Sequence, residues 1–449
     1  MLGFDAGRFP PGAASLLQGV LAVARTGLAA AGDDELTTQD HLQTMASRLL
    51  GAHERHSYDP AVPPSSGLCA PPDSQMASRL KLDVLAGGLR VGPAADAHLT
   101  QHGKPALRVR SGSCGGVDLM FSDGTYVNAP VRELFAPRSA LELVLDGPEL
   151  VIFDARTRSR TPVTVTPAPA YYRSTTAAGL RMSGIGQLCS DRVGVGLTNG
   201  CVYWGPKQAR CRFCSIGLNV RTGHEYATKA AEDIVETVAA AIDDPITPAA
   251  HVLLGGGTPP GPDAGAYQFA LVTRAVKARF PSLSVYVMLA PPTDLGAIDA
   301  LVESGADEIG INFELSSDAA RQSLMPGKHA LGRDVWFAAL GRAVNLLGPE
   351  RSLGAVRSIL IAGLESAEET LTAVAQLCAA GVMPILTPFR PMVGTEMEEH
   401  PRWSGAQLWE LTVAATEVAD RYGMPLGPTC IPCQANTLNV AGHPAYRSY

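Results

Sequence analysis

From about residue 185 onward, short apolar runs alternate with segments of helical character, and this alternation limits the folds open to the chain. The candidate strands are Val193–Leu197, His251–Leu254, Ser284–Leu289, Glu308–Phe313, Val356–Ile361 and Val382–Thr387. Between them lie the helical stretches Ala230–Ile242, Ala266–Phe280, Leu295–Ser304, Val335–Leu347 and Ala367–Ala380. Near-continuous apolar strands separated by helices predict a parallel sheet covered by those helices. A closed (β/α)8 barrel takes about 250 residues and eight units. Six units in residues 185–425 predict an open barrel instead. The expected fold class is therefore α/β: a partial (β/α)6 TIM-like barrel with a small N-terminal β-rich domain.

The flanks divide by texture. Residues 1–74 read as a helical segment and linker, with Leu16, Leu17, Val20, Leu21 and Val23 near helical spacing, a second helical stretch at Asp40–Leu50 and a Pro/Ser-rich break over Pro60–Pro72. Residues 75–184 read as the β-rich domain. Val117–Phe121 and Tyr126-Val127 flank Asp123-Gly124, and Leu141–Leu145 and Leu150–Phe153 flank Asp146-Gly147, the strongest short hairpin signal. Residues 426–449 form an extension carrying a CxxC.

Charge and hydropathy narrow the function classes. A net charge of −7 argues against a protein that coats nucleic acid or an anionic membrane, since both select basic surfaces. The most apolar run, Ala14–Gly32, is interrupted by Gln18 and Arg25 and reads as an amphipathic or buried helix rather than a membrane span. No basic leader precedes an apolar signal region, so a cytoplasmic location is expected.

Nine cysteines are unevenly spread, and three of them fall between Cys201 and Cys214. The segment has the spacing C-x9-C-x2-C, with Cys201, Cys211 and Cys214 directly after the first barrel strand. Thiolates clustered on one loop suit a soft metal. A closed zinc site or an ordinary iron–sulfur cubane takes four protein ligands, so three leave one iron of a cubane open. Loops at the C-terminal ends of parallel strands are also where barrels keep their chemistry.

With Phe213 just before the last cysteine, this segment resembles the cluster motif of the radical S-adenosylmethionine (SAM) superfamily, apart from a first gap of nine residues where the family has three. The turn Gly255-Gly256-Gly257-Thr258-Pro259, after the second strand, resembles the family's SAM-binding turn, with Gly257 where an acidic residue is usual. Ile361-Ala-Gly363-Leu-Glu365 resembles its adenine-contacting strand, and Asn312 and Glu314 stand where polar side chains reach the SAM ribose and carboxylate. The resemblance covers about residues 185–425. It implies a [4Fe–4S] cluster on Cys201, Cys211 and Cys214, SAM contacts at Phe213, Gly255–Gly257, Thr258, Asn312 and Glu314, and a reductant such as flavodoxin or ferredoxin. It also implies hydrogen abstraction from a substrate, and the acidic charge favours a small molecule. The β-rich leader, the run Tyr171-Tyr172-Arg173-Ser174, the nine-residue gap and Pro388-Phe389-Arg390-Pro391 are similar to a bacterial branch of that superfamily encoded beside nitrilases.

Other readings stay open. The cysteine triplet can belong to a zinc site in a barrel without SAM chemistry, completed by His224 or Cys189. Asn312 and Glu314 can be ordinary polar strand ends, and Arg357 and Arg390 read as structural ion pairs sooner than as carboxylate binders. Cys430-Ile-Pro-Cys433 can ligate an auxiliary cluster, form a redox disulfide or place thiols near the active-site mouth. Cys378, beside Leu377 on a predicted helix, reads as a buried small hydrophobe. Asp96-Ala-His98 lacks the glycine and the surrounding β-α pattern of a cobalamin site and is rejected as one.

Overall fold

The computed structural model describes residues 72–103, 115–348 and 354–448. The described residues belong to one compact unit of the chain, Ala70–Tyr449. The helical expectations for residues 1–60, including Ala14–Gly32, lie outside the described residues.

A six-stranded sheet comes first in the chain. Its strands are β1 (Arg90–Val91), β2 (Val117–Phe121), β3 (Tyr126–Ala129), β4 (Leu141–Asp146), β5 (Glu149–Asp154) and β6 (Arg160–Val165), in the order β1-β4-β5-β6-β2-β3. Both Asp-Gly pairs turn hairpins as expected: Met120 pairs with Tyr126, and Asp146 with Glu149. β6 was not legible in the sequence, because Pro162 and the polar residues around it interrupt the apolar run. Two helices, Pro72–Gly87 and Pro93–His102, precede or flank this sheet.

The second sheet has seven strands: β7 (Gly186–Cys189), β8 (Arg192–Gly196), β9 (His251–Gly255), β10 (Val285–Leu289), β11 (Glu308–Ile311), β12 (Val356–Ala362) and β13 (Met383–Pro388). They run in the order β13-β12-β11-β10-β9-β8-β7, and β8 to β13 are all parallel. These six are the six predicted strands, each within one or two residues of the expected ends. The helices between them, including Ala231–Ile242, Ala266–Arg279, Arg333–Leu347 and Ala367–Ala379, bury apolar stripes against the sheet. Cys378 is buried in the last of these, as expected. The result is a curled partial barrel.

β7 is an addition. It forms a hairpin with β8, and Tyr171 and Tyr172 fasten it: Tyr171 Oη donates to Gly186 O (3.2 Å), and Leu188 N donates to Tyr172 Oη (3.0 Å).

An open barrel leaves its two outermost strands unpaired on one side, and sheet edges of that kind are normally covered. Here two chain segments do the covering. The segment after the helix Gly405–Arg421 lies along β13, with Gly427 N donating to Pro384 O (3.0 Å) and Leu438 N to Leu386 O (2.8 Å). The small sheet bridges the two edges. Asp118 of β2 accepts from Ser190 N in the β7–β8 turn (3.3 Å) and from Asn128 Nδ2 of β3 (2.6 Å). Asn128 Oδ1 accepts from Arg390 just beyond β13 (3.0 Å), and Arg390 also pairs with the buried Glu133.

Candidate active site

The barrel encloses a cavity of about 460 Å³, lined from the cysteine loop, the glycine turn and the ends of the later strands. The residues singled out in the sequence for the cluster and the SAM contacts line it (Cys201, Cys211, Phe213, Cys214, Gly255, Gly256, Gly257, Thr258, Asn312 and Glu314), whereas of the stretch Ile361–Glu365 only Ile361 does. The lining is largely apolar with a few convergent polar groups, the usual character of a small-molecule site.

The cysteine loop leaves β8 through Asn199, which is buried and donates to Glu225 Oε2 (2.9 Å). All three cysteines are free thiols; Cys211 is buried and the other two are half-buried. Cys211 N donates to Tyr203 O (2.9 Å) and Cys214 N to Cys211 O (3.1 Å), so the C-x2-C half forms a tight turn. Cys211 packs with Leu315 and Met325 in a small apolar cluster that Phe213 flanks. The long first gap has a structural role of its own. Trp204 fills it, lies against Gly217, donates from Nε1 to Cys214 O (3.1 Å), and is covered by Arg210 and Arg221.

The glycine turn is stitched to the same loop. Leu197 N donates to Gly255 O (2.8 Å), Gly257 N to Thr198 O (2.6 Å) and Val202 N to Thr258 O (2.9 Å). Gly256 has φ +146°, and a Cβ on Gly257 would lie 2.3 Å from Gly200 O and 2.9 Å from Cys201 Cβ. Side chains are therefore excluded here by the approach of the cysteine loop, whatever else the turn binds.

Among known proteins, no family model matches the chain. Over 149 residues it is 26% identical to the bacteriochlorophyllide c C-7(1)-hydroxylase of Chlorobaculum limnaeum, a match covering 32% of this chain and 36% of that protein. Similar solved structures are HydG, a maturase of the [FeFe]-hydrogenase (16% identity, 55% of each chain, TM-score 0.41), and the HemN coproporphyrinogen III oxidase of Escherichia coli, described as a radical SAM enzyme (13%, 52% of each chain, TM-score 0.35). A third is a radical SAM methyltransferase from Sphaerobacter thermophilus (16%, 66% of this chain and 80% of that one, TM-score 0.38). By its cysteine loop, its glycine turn and its strand order, the chain is similar to radical SAM enzymes. It spans about half the length of the first two solved chains and about a third of the hydroxylase. TM-scores below 0.5 mark partial overlaps, and the partial barrel rests on the strand order and register described above.

Two arrangements at or beside the cavity were not apparent in the sequence. Lys328, on the short helix Pro326–His329, sends its ammonium to both oxygens of Glu314 (2.8 and 2.7 Å). Burial opposes its charge, but the Glu314 carboxylate and the nearby Cys211 and Cys201 overcome that and raise the Lys328 pKa above the usual lysine value. Burial also raises the thiols, Cys214 to about 11 and Cys211 further, so metal binding must displace protons there. Asn312 is similarly committed, with Oδ1 accepting from Ile359 N (3.1 Å). Arg357 and Arg390 line the cavity but form the structural pairs anticipated, with Glu308 and Glu133. Glu365 accepts from Ser316 N and Ser317 N (2.7 Å each), so it caps a neighbouring turn.

The second arrangement surrounds the CxxC, whose cysteines the sequence singles out without their partners Asp191 and His251. Cys430 and Cys433 are buried free thiols, not a disulfide, and they lie at the N-terminal ends of β8 and β9, not at the mouth. Beside them are Asp191, just before β8, and His251, the first residue of β9. Cys433 faces the cavity. Cys189 is disulfide-bonded and so is not available to complete a site at Cys201, and His224 Nδ1 is engaged with Thr222 Oγ1 (2.8 Å).

Proposed function

We propose that the chain is a radical SAM enzyme that reductively cleaves SAM and abstracts hydrogen from a small-molecule substrate. The observation that carries the reading is the union of three free cysteines with the glycine turn: both stand at the C-terminal ends of adjacent parallel strands, joined by backbone hydrogen bonds, and face one cavity. Cys201, Cys211 and Cys214 would hold a [4Fe–4S] cluster, which, with SAM bound beside it and an electron from a flavodoxin or ferredoxin, would supply the chemistry of reductive SAM cleavage.

The chain's own residues give that chemistry its setting. Lys328 places a buried positive charge beside the thiolates and fixes Glu314 at the cavity wall. Asn312, held by Ile359 N, offers its amide from the end of β11. The apolar packing of Cys211 with Leu315 and Met325 keeps water from one side of the cysteine loop. The small sheet β1–β6 and the segment that lies along β13 would cover the open side of the barrel and keep a reactive radical from solvent. Among the described residues no helix is long and apolar enough to cross a membrane.

The test is anaerobic reconstitution with iron and sulfide, an iron count per chain, and detection of 5′-deoxyadenosine by mass spectrometry after addition of dithionite and SAM. Four irons at the triplet, with nucleoside lost in the Cys201→Ala, Cys211→Ala, Cys214→Ala variant, support the proposal. Zinc in place of iron, with SAM intact, would overturn it in favour of a zinc barrel.

A further inference from the structure

The donor atoms of Asp191, His251, Cys430 and Cys433 all lie within 4.8 Å of one another. Cys430 Sγ is 3.7 Å from Asp191 Oδ1 and 3.8 Å from His251 Nε2. Cys433 Sγ is 3.2 Å from His251 Nε2 and 3.7 Å from Asp191 Oδ1, and His251 Nε2 is 3.4 Å from Asp191 Oδ1. Zinc binds sulfur at about 2.3 Å and nitrogen or oxygen at about 2.0–2.2 Å, so the edges of its tetrahedron measure about 3.3–3.8 Å. Five of the six separations, at 3.2–3.8 Å, lie close to those edges, and the two sulfurs are within 4.8 Å of each other.

We propose that Asp191, His251, Cys430 and Cys433 form a site for one zinc ion, separate from the cysteine triplet. A multi-iron cluster distributes its cysteines over different irons and spreads their sulfurs more widely than one ion does, so this packing disfavours the auxiliary cluster that a CxxC alone suggests. Two thiolates, an imidazole and a carboxylate are a borderline-soft set suited to zinc. Four protein donors make the site closed, hence structural. The buried Arg192 guanidinium next to the group offsets the surplus negative charge of three anionic ligands around a dication. Zinc would draw all four donors to one centre.

The location gives the ion its function. Asp191 and His251 belong to the N-terminal ends of β8 and β9, and the triplet and glycine turn to their C-terminal ends, about 15 Å of strand away. Cys430 and Cys433 belong to the segment that covers the barrel's open side. One ion would therefore tie the closing segment, which lies along β13, to the N-terminal ends of β8 and β9 across the barrel, behind the cavity wall that Arg192 and Cys433 line.

The experiment uses the full chain in which Cys201, Cys211 and Cys214 are alanine, so that iron at the first site cannot confuse the count and the result stands whether or not SAM is cleaved. Elemental analysis is expected to give one zinc per chain. After chelation, titration with cobalt is expected to restore one equivalent with intense tetrahedral and thiolate charge-transfer absorption. Adding Cys430→Ser and Cys433→Ser should abolish that metal. Should this variant fail to fold, Asp191→Asn, which retains both thiols, should weaken cobalt binding at least tenfold. Iron and sulfide in place of zinc, a Cys430–Cys433 disulfide in the native protein, or no cobalt absorption would each overturn the proposal.

Discussion

Replacing Gly257 by alanine tests the claim that the glycine turn and the cysteine loop are one mechanical unit. The added Cβ would sit 2.3 Å from Gly200 O and 2.9 Å from Cys201 Cβ, whereas ordinary contact begins near 3.4 Å. Both neighbours belong to the loop backbone or its first ligand, so no flexible side chain can swing aside. The loop must therefore retreat by about 1 Å, and overpacking of this kind costs about 1–3 kcal/mol. A misplacement of about 1 Å at reacting groups costs roughly 10²-fold in rate. We expect reconstituted Gly257→Ala to retain its fold with Tm lowered by a few degrees (about 2–4 °C per kcal/mol, less in larger units). Nucleoside formation should fall about 100-fold. Gly341→Ala is the control: it lies inside the helix Arg333–Leu347 with nothing within 4 Å of its Cβ position, and should stabilise by about 1 kcal/mol. Wild-type iron content and wild-type nucleoside formation in Gly257→Ala would refute the reasoning, because the loop would then have yielded at no cost.

Further expectations concern buried charge. Lys328→Met leaves Glu314 unpaired in a site that is 13% exposed, and should cost about 3–5 kcal/mol in thermal or denaturant unfolding. In reconstituted protein it should also lower the cluster potential measured by redox titration, since a positive charge next to the thiolates is gone. Glu133→Gln strands Arg390 at the junction of the small sheet and β13, and a comparable loss is expected by denaturant unfolding. Lys81, buried in the helix Pro72–Gly87, has its pKa lowered by burial to about 7. Its folded state binds fewer protons than the unfolded chain between about pH 7 and 10.5, so stability should rise with pH across that window. Relative to Lys81→Met the rise should total about 5 kcal/mol, read from urea midpoints, and parallel curves for the two proteins would contradict it.

The barrel was legible because each parallel strand is a continuous apolar run, a signal that survives without knowledge of its neighbours. The cluster loop was legible because its three ligands lie within one short segment. Partnerships across long separations were not. Glu314 reads as a polar strand end until Lys328 folds back onto it from a short helix with no periodicity of its own. Asp191 and His251 are single polar residues at the starts of apolar strands, and only the tertiary fold brings Cys430 and Cys433 to them. Their one sequence signal was local: a histidine and an aspartate at the buried ends of adjacent strands, where apolar residues are cheaper to bury. Likewise, β7 is too short to show periodicity and is identified by the two tyrosines that hold it.

The covering of the barrel's open side also sets an order of events during synthesis. Residues 427–439 follow every barrel strand in the chain, so they leave the ribosome after the cysteine loop and all six parallel strands have emerged. The contacts that complete the enclosure join residues far apart in sequence, 182 positions for Cys433 with His251 and 262 for Arg390 with Asn128. Contacts of such separation form late, because chain entropy must be spent before they return anything. In the chain, the cysteine loop and all six parallel strands thus precede the segment that covers their flank, and the flank is completed by contacts of large sequence separation.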